Sequence, residues 1–165
     1  MGTENILQLV EQLADRALQQ NVILSTAESC TGGGIATAMT ALAGSSAWFD
    51  AGFVTYSNEA KSRMLNVPLA VIEAHGAVSQ PVVEAMTAGA IANSQAQLSV
   101  AVSGVAGPGG GTEKKPVGTV WIAWRSGSES VAQRYQFAGD RDSVRLQTVE
   151  QALSGLVKLL DKNTV

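Results

Sequence analysis

Short apolar segments alternate with helical segments along this chain of 165 residues, and this alternation limits the fold more than any other feature. The segment "VILSTA" at residues 22–27 is typical of a short buried strand, and "GGGIATAMTALAG" follows it as a helix rich in small residues. Strands that are joined by a crossover helix usually lie parallel in one sheet. The pattern therefore predicts an α/β protein with helices on the faces of its sheet.

The remaining elements follow from the same periodicities. Amphipathic helices are expected over residues 4–20 and from about Asp142 to Asp161. Further strands are expected at residues 48–57, 98–107, 119–126 and 130–139, and further helices after Ser57, Pro68 and Ser79. The order α-β-α-β-α-α-α-β-β-β-α predicts a three-layer α/β/α sandwich with a mixed, mostly parallel sheet, formed by a single domain over residues 1–165.

The composition excludes several classes of partner. The net charge is −3 and no basic run is present, so nucleic acid is not expected as a partner. No segment has the apolar length of a membrane span, and "MGTENILQLVEQ" lacks the pattern of a signal peptide. One histidine and one cysteine cannot form a zinc site, and a lone cysteine suits a reducing compartment. A cytoplasmic protein without metal or cofactor is expected.

Ligands of open α/β sheets bind outside the carboxyl ends of the strands. Three loops occupy such positions, after Ala27, after Tyr56 and after Val105. The first loop, "ESCTGGG", leads into a helix, so its amide groups are suited to bind a phosphate or to stabilise an oxyanion beside a nucleophile. An ordinary tight turn, with Ser29 or Thr31 as a helix cap, is an equally valid interpretation.

A serine or cysteine nucleophile in this loop needs a base. His75 is the only histidine, and its position at a predicted helix end favours a structural role. Lys61 in "VTYSNEAK" is an alternative base if burial lowers its pKa, with the phenol of Tyr56 near it in sequence. An exposed lysine paired with Glu59 is the competing interpretation.

Two later segments contain candidate anion ligands. In "SGVAGPGGGTEKKPVGTV", residues 103–120, glycine amides together with Lys114 or Lys115 are expected to bind an anionic group, although a solvated connection has the same composition. In "GDRDSVR", Arg145 is expected either to bind a phosphate or to pair with a neighbouring aspartate. The residues alone leave both alternatives open.

Five segments together resemble one known family, the C-terminal domain family of the competence/damage-inducible protein CinA. They are "TAESCTGG", "GSSAWFDAGFVTYSNEAK", "GAVS", "SGVAGPGGGTEKKPVGTV" and "GDRDSVR". Stand-alone members of that family are nicotinamide mononucleotide (NMN) deamidases. The resemblance implies hydrolysis of the amide of NMN to nicotinate mononucleotide and ammonia, in pyridine nucleotide salvage. It also implies a three-layer fold and a homo-oligomer, a dimer or higher.

The resemblance further implies roles for particular residues. Ser29 would be the nucleophile, and Tyr56 with Lys61 would transfer protons. The residues implied in substrate binding are Thr31, Gly32, Gly33, Ser103, Gly104, Gly110, Lys115 and Arg145.

One position departs from the family, because Gly34 stands where a large residue is common, and an altered pocket wall is expected there. The chain is also expected to lack the additional N-terminal domain of two-domain relatives. Two alternatives stay open: a non-catalytic nucleotide-binding or regulatory paralogue, and a hydrolase that uses Cys30.

Overall fold

The computed structural model describes residues 2–163 of the chain. Its helices are α1 (Gly2–Gln20), α2 (Gly34–Thr40), α3 (Asn58–Leu65), α4 (Leu69–His75), α5 (Gln80–Ala92) and α6 (Arg141–Lys162). Its strands are β1 (Leu24–Glu28), β2 (Phe49–Val54), β3 (Leu98–Gly104), β4 (Thr119–Ser126) and β5 (Glu129–Gln136). A short 3₁₀ turn, Ser45–Ala47, precedes β2.

The five strands form one sheet in the order β2-β1-β3-β4-β5. Strand β1 pairs in parallel with both β2 and β3, whereas β4 is antiparallel to β3 and to β5. Four of the five strands consequently point the same way. The element order and the mixed sheet agree with the sequence prediction, and the differences are confined to the ends of elements.

Helices cover both faces of the sheet and make the three-layer sandwich that was expected. One apolar core contains residues of α1, α2 and α6 against β1, β3 and β4, and includes Leu13, Ile35 and Leu153. The second core lies under α3, α4 and α5 and includes Leu65 and Met86. Burial of these apolar side chains is the main favourable contribution to folding.

The topology opens a crevice beside the end of β1. The connection from β1 to β2 passes through α2 on one face, and the connection from β2 to β3 passes through α3, α4 and α5 on the other. The chain therefore leaves the carboxyl ends of β1 and β2 toward opposite faces of the sheet. Such a switch point is where open α/β sheets bind ligands.

Close packing fixes helix α3 beside this crevice. Gly89 of α5 lies so near the end of α3 that a Cβ atom there would overlap the carbonyl group of Leu65. The two helices approach at this distance because residue 89 has no side chain. The packing matters for the site, since α3 supplies one of its central side chains.

Candidate active site

Ser29 follows directly after β1, at the mouth of the crevice. Its amide donates to the carbonyl oxygen of Val102 at 3.2 Å, which continues the pairing with β3 by one residue. Successive side chains along an extended strand point to opposite faces. Ser29 accordingly faces the side of α3, as Ala27 does, whereas Cys30 belongs to the core on the side of α1 and α6.

Lys61 reaches Ser29 from the first turn of α3. Ser57 caps this helix by accepting a hydrogen bond from the amide of Ala60 at 3.0 Å, which sets where the helix begins. The side chain of Lys61 points into the protein and the residue is only 1% exposed. Its amine nitrogen lies 3.1 Å from Ser29 Oγ, 2.9 Å from the carbonyl oxygen of Thr55 and 3.3 Å from that of Tyr56.

These surroundings suit Lys61 to act as a base. Burial lowers the pKa of its amine from 10.5 to about 8. Within residues 2–163 no carboxylate forms an ion pair with it. A neutral amine has two N–H bonds and one lone pair. The two carbonyl groups can accept the N–H bonds, which leaves the lone pair for the hydroxyl hydrogen of Ser29.

The loop after Ser29 is held by its own hydrogen bonds. The amide of Gly32 donates to the carbonyl of Ser29, and that of Gly34 donates to the carbonyl of Thr31, each at 3.0 Å. Gly32 and Gly33 adopt φ values of 60° and 102°, a conformation that side chains disfavour. The predicted glycine turn is therefore present, and its backbone conformation favours glycine at both positions.

A cavity of about 230 Å³ opens over Ser29 and Lys61. It is lined by Ser29, Cys30, Tyr56, Asn58, Lys61, Ala77, Val78, Ser103, Gly104, Ala106 and Arg141. A second cavity of about 320 Å³ shares Ala106 and Arg141 with it and extends past Pro108 to Asp142. Residues at the ends of β1, β2 and β3 thus line one cleft, as expected for the three loops that follow these strands.

Arg141 is the cation of this cleft that sequence reasoning did not select. Its guanidinium donates to the carbonyl of Gly107 at 2.7 Å and to the hydroxyl of Tyr56 at 3.2 Å. Both acceptors are neutral, so the positive charge remains available to an anion. Its only signal in the sequence was its place at the start of α6, one turn ahead of Arg145.

Tyr56 lies at the rim of the cleft. The residue is 62% exposed, and its hydroxyl accepts from Arg141, whereas Lys61 contacts its backbone carbonyl. Ser103 and Gly104 line the cavity at the end of β3, and Ser103 is buried. Their implied roles in catalysis and binding stay predictions.

Six of the eight residues that the resemblance implied in substrate binding do not line the cavity over Ser29: Thr31, Gly32, Gly33, Gly110, Lys115 and Arg145. The amine of Lys115 donates to the carbonyl of His75 at 2.8 Å, near the cavity wall at Ala77. Gly110 is exposed in its loop. Arg145 lines a separate groove between α1, α2 and α6, and it donates to the carbonyls of Cys30 at 3.1 Å and Thr31 at 3.2 Å. Gly34 lies on that groove too, against Val149.

Cys30 lacks the features of a nucleophile. The residue is 5% exposed, and burial raises the pKa of its thiol from 9.0 to about 11. A thiolate is the reactive form of cysteine, and at neutral pH this thiol stays protonated. His75 is exposed at the end of α4 and does not line the cavity, so the expectation that it is not the base agrees with its position.

Residues 2–163 contain neither a candidate metal cluster nor a candidate membrane-spanning helix. No cluster of three or more histidine, cysteine, aspartate or glutamate residues in this range is arranged to hold a metal ion. No helix in the same range combines the length and the apolar character that crossing a membrane requires.

Comparison with known proteins gives consistent results. Residues 6–160 match the family model described as CinA C-terminal domain. The nicotinamide-nucleotide amidohydrolase PncC of Pseudomonas putida is 57% identical over 154 residues, which are 93% of this chain and 96% of the relative. The protein of the same name from Escherichia coli strain K12 is 47% identical over 165 residues, which are 99% and 100% of the two chains.

Solved structures agree in fold. The competence/damage inducible protein CihA of Agrobacterium tumefaciens superposes with a TM-score of 0.92 at 42% identity, covering 94% of this chain and 95% of that one. A CinA superfamily protein of Klebsiella pneumoniae superposes with a TM-score of 0.92 at 38% identity, covering 95% and 98%.

Proposed function

The chain belongs to the CinA C-terminal domain family, and on that premise we propose that it is a nicotinamide-nucleotide amidohydrolase. The reaction is hydrolysis of the carboxamide of NMN to nicotinate mononucleotide and ammonia, and residues 1–165 act as one domain. The observation that carries the proposal is the contact between the buried amine of Lys61 and the hydroxyl of Ser29 inside the cleft.

In the proposed mechanism Ser29 Oγ attacks the carboxamide carbon while its proton passes to Lys61. The oxyanion that forms needs hydrogen-bond donors, and the amide of Thr31 has no acceptor within residues 2–163. Protonated Lys61 then gives its proton to the amide nitrogen, the C–N bond breaks and ammonia leaves. Water attacks the remaining ester, with Lys61 again as the base, and restores Ser29.

The cleft provides a place for each end of the substrate. With the carboxamide at Ser29, the 5′-phosphate extends toward Arg141, whose charge has only neutral partners. Arginine binds phosphate through two parallel hydrogen bonds, so Arg141 replaces Arg145 in the phosphate-binding role. Tyr56 lies against Arg141 and closes this side of the cleft.

Ammonia release from NMN tests the proposal. Purified protein is incubated with NMN, nicotinamide and NAD, and ammonia is measured against Ser29→Ala prepared in the same way. Release from NMN by the unaltered protein alone supports the proposal. No release above the variant would remove the enzyme claim and favour a non-catalytic nucleotide-binding protein, which binding of NMN in a calorimeter would then reveal.

Three further attributes belong to the proposal. Lys61, not a metal ion, activates Ser29, so the rate should be unchanged after treatment with EDTA. A cytoplasmic location rests on the lone cysteine and on the NMN substrate. Homo-oligomeric assembly rests on the family resemblance, and light scattering measures it directly.

A further inference from the structure

Arg145 does not face the proposed substrate, yet it is bound to the loop that carries the nucleophile. Its Nε donates to the carbonyl of Cys30 and one Nη donates to the carbonyl of Thr31. These carbonyls belong to the two peptide groups that link Cys30 to Thr31 and Thr31 to Gly32. Within residues 2–163 no carboxylate pairs with Arg145, and the two carbonyls are its hydrogen-bond partners.

Arg145 binds carbonyl groups of the loop, whereas Glu28 binds hydrogen-bond donors of the loop and of the helix that follows it. This carboxylate is fully buried and accepts from the hydroxyl of Thr31 at 2.6 Å and from the amides of Ile35 at 2.8 Å and Ala36 at 3.0 Å. It thereby ties the hydroxyl of Thr31 to the start of α2. A buried carboxylate with three donors is well satisfied, so this anchor is rigid.

Once these bonds are assigned, three amides of the loop lack an acceptor in the described part of the chain, those of Cys30, Thr31 and Gly33, and only that of Thr31 shares a peptide with a carbonyl that Arg145 holds. The amide of Gly32 donates to Ser29 and that of Gly34 donates to Thr31. A trans peptide is planar, and its N–H and C=O point in opposite directions. Because Arg145 holds the carbonyl of Cys30, the N–H of Thr31 in the same peptide must point away from Arg145.

We infer that Arg145 is a positioning residue, which aims the N–H of Thr31 at the substrate oxyanion by holding the Cys30–Thr31 peptide from behind. The inference deepens the proposed function and rests on Ser29 as the nucleophile. Gly32 lies beside this contact: its φ of 60° favours glycine, and a Cβ atom there would lie 3.4 Å from Nη2 of Arg145, an ordinary van der Waals distance. A guanidinium is suited to the task because it binds two carbonyl groups at once.

The kinetic test uses Arg145→Ala with NMN and with nicotinamide riboside, which has the same amide and no phosphate. Loss of one oxyanion donor costs about 10²-fold in kcat. Arg145→Ala should lower kcat by this factor on both substrates, with KM within about twofold and the midpoint of the pH profile unchanged. A rise in KM that is confined to NMN would make Arg145 a phosphate ligand and overturn the inference.

A second test does not need NMN to be the substrate. Methanesulfonyl fluoride is small, and its reaction with an activated serine forms an O–S bond, breaks the S–F bond and releases fluoride, while the hydroxyl proton passes to the base. Mass spectrometry then follows labelling of Ser29. Arg145→Ala should label at least tenfold more slowly than the unaltered protein, because a sulfonyl oxygen occupies the place of the oxyanion.

The control is Arg16→Ala, which also removes an arginine that donates to a backbone carbonyl, that of Gln12, but far from the cleft. It should label at the unaltered rate. Arg145→Lys retains the charge and one donor and should label at an intermediate rate, and it serves if the alanine variant does not fold.

Labelling of Arg145→Ala at the unaltered rate would refute the inference even if NMN is hydrolysed. If NMN is not hydrolysed but Ser29 labels in an Arg145-dependent way, the inference stands and the substrate is wrong. If the unaltered protein does not label, the inference falls together with the nucleophile.

Discussion

The amine nitrogen of Lys61 lies 3.1 Å from the hydroxyl oxygen of Ser29, although 32 positions separate the two residues in the chain. Ser29 follows directly after strand β1, and Lys61 lies in the first turn of α3. Both are buried, and the contact occurs at the bottom of a cleft. Most of the testable consequences of the proposed function derive from this pair.

The first prediction separates Ser29 from its neighbour. Ser29→Ala should abolish ammonia release from NMN, because no other hydroxyl is in contact with Lys61 among residues 2–163. Cys30→Ala should retain most of the activity, since its thiol belongs to the core and has a raised pKa. Iodoacetamide at pH 8 should accordingly leave the rate unchanged. Retained activity in Ser29→Ala would show that the mechanism is wrong.

The second prediction concerns the pH dependence of the rate. Lys61 accepts a proton only as the neutral amine, and its pKa is about 8. We therefore expect kcat/KM to rise about tenfold per pH unit below pH 8 and to level off above it. Lys61→Met keeps the length of the side chain and should be inactive at every pH. Lys61→Arg should be inactive as well, because a guanidinium does not release its proton in this range.

The third prediction is the effect of the same amine on stability. The pKa of Lys61 is lower in the folded protein, about 8, than the ordinary value of 10.5 expected after unfolding. Between these values the unfolded chain binds more protons, so the free energy of unfolding should increase with pH in this window. The penalty from the buried charge is full below about pH 8 and vanishes by about 10.5. Urea unfolding of Lys61→Met, compared at each pH, should lack this increment.

The fourth prediction tests phosphate binding by Arg141. A charge-assisted hydrogen bond contributes about 1.5–3 kcal/mol, so Arg141→Ala should raise KM for NMN by about 10- to 150-fold. Activity on nicotinamide riboside, which lacks the phosphate, provides the matched control and should change far less. An equal loss on both substrates would assign Arg141 to the chemistry or to the shape of the cleft instead.

The fifth prediction concerns the packing that holds α3 in place. Gly89→Ala puts a methyl group onto the carbonyl of Leu65 and should lower the free energy of unfolding by about 1–3 kcal/mol. Gly109→Ala is a suitable control, because nothing lies within 4 Å of a Cβ atom at that position. Equal stability of the two variants in urea would show that α3 and α5 can separate at no cost.

The site was predicted in part. Ser29, Tyr56 and Lys61 were selected from sequence and line one cavity, together with Ser103 and Gly104. Sequence reasoning selected Arg145 for anion binding, whereas the structure puts Arg141 in the cleft and Arg145 in a separate groove. The two arginines are one helical turn apart, and local sequence does not reveal which turn of α6 lies beside the cleft.

Local patterns by themselves determined the order of helices and strands, the α/β class and the loops that follow β1, β2 and β3. They do so because hydrophobic periodicity and glycine turns act over a few residues. The tertiary structure decided three other features: the burial of Lys61, the position of Arg141 instead of Arg145 in the cleft, and the anchoring of the loop by Glu28. Each depends on the distance between segments that only the packed sheet and helices bring together, and burial and pKa follow from that packing.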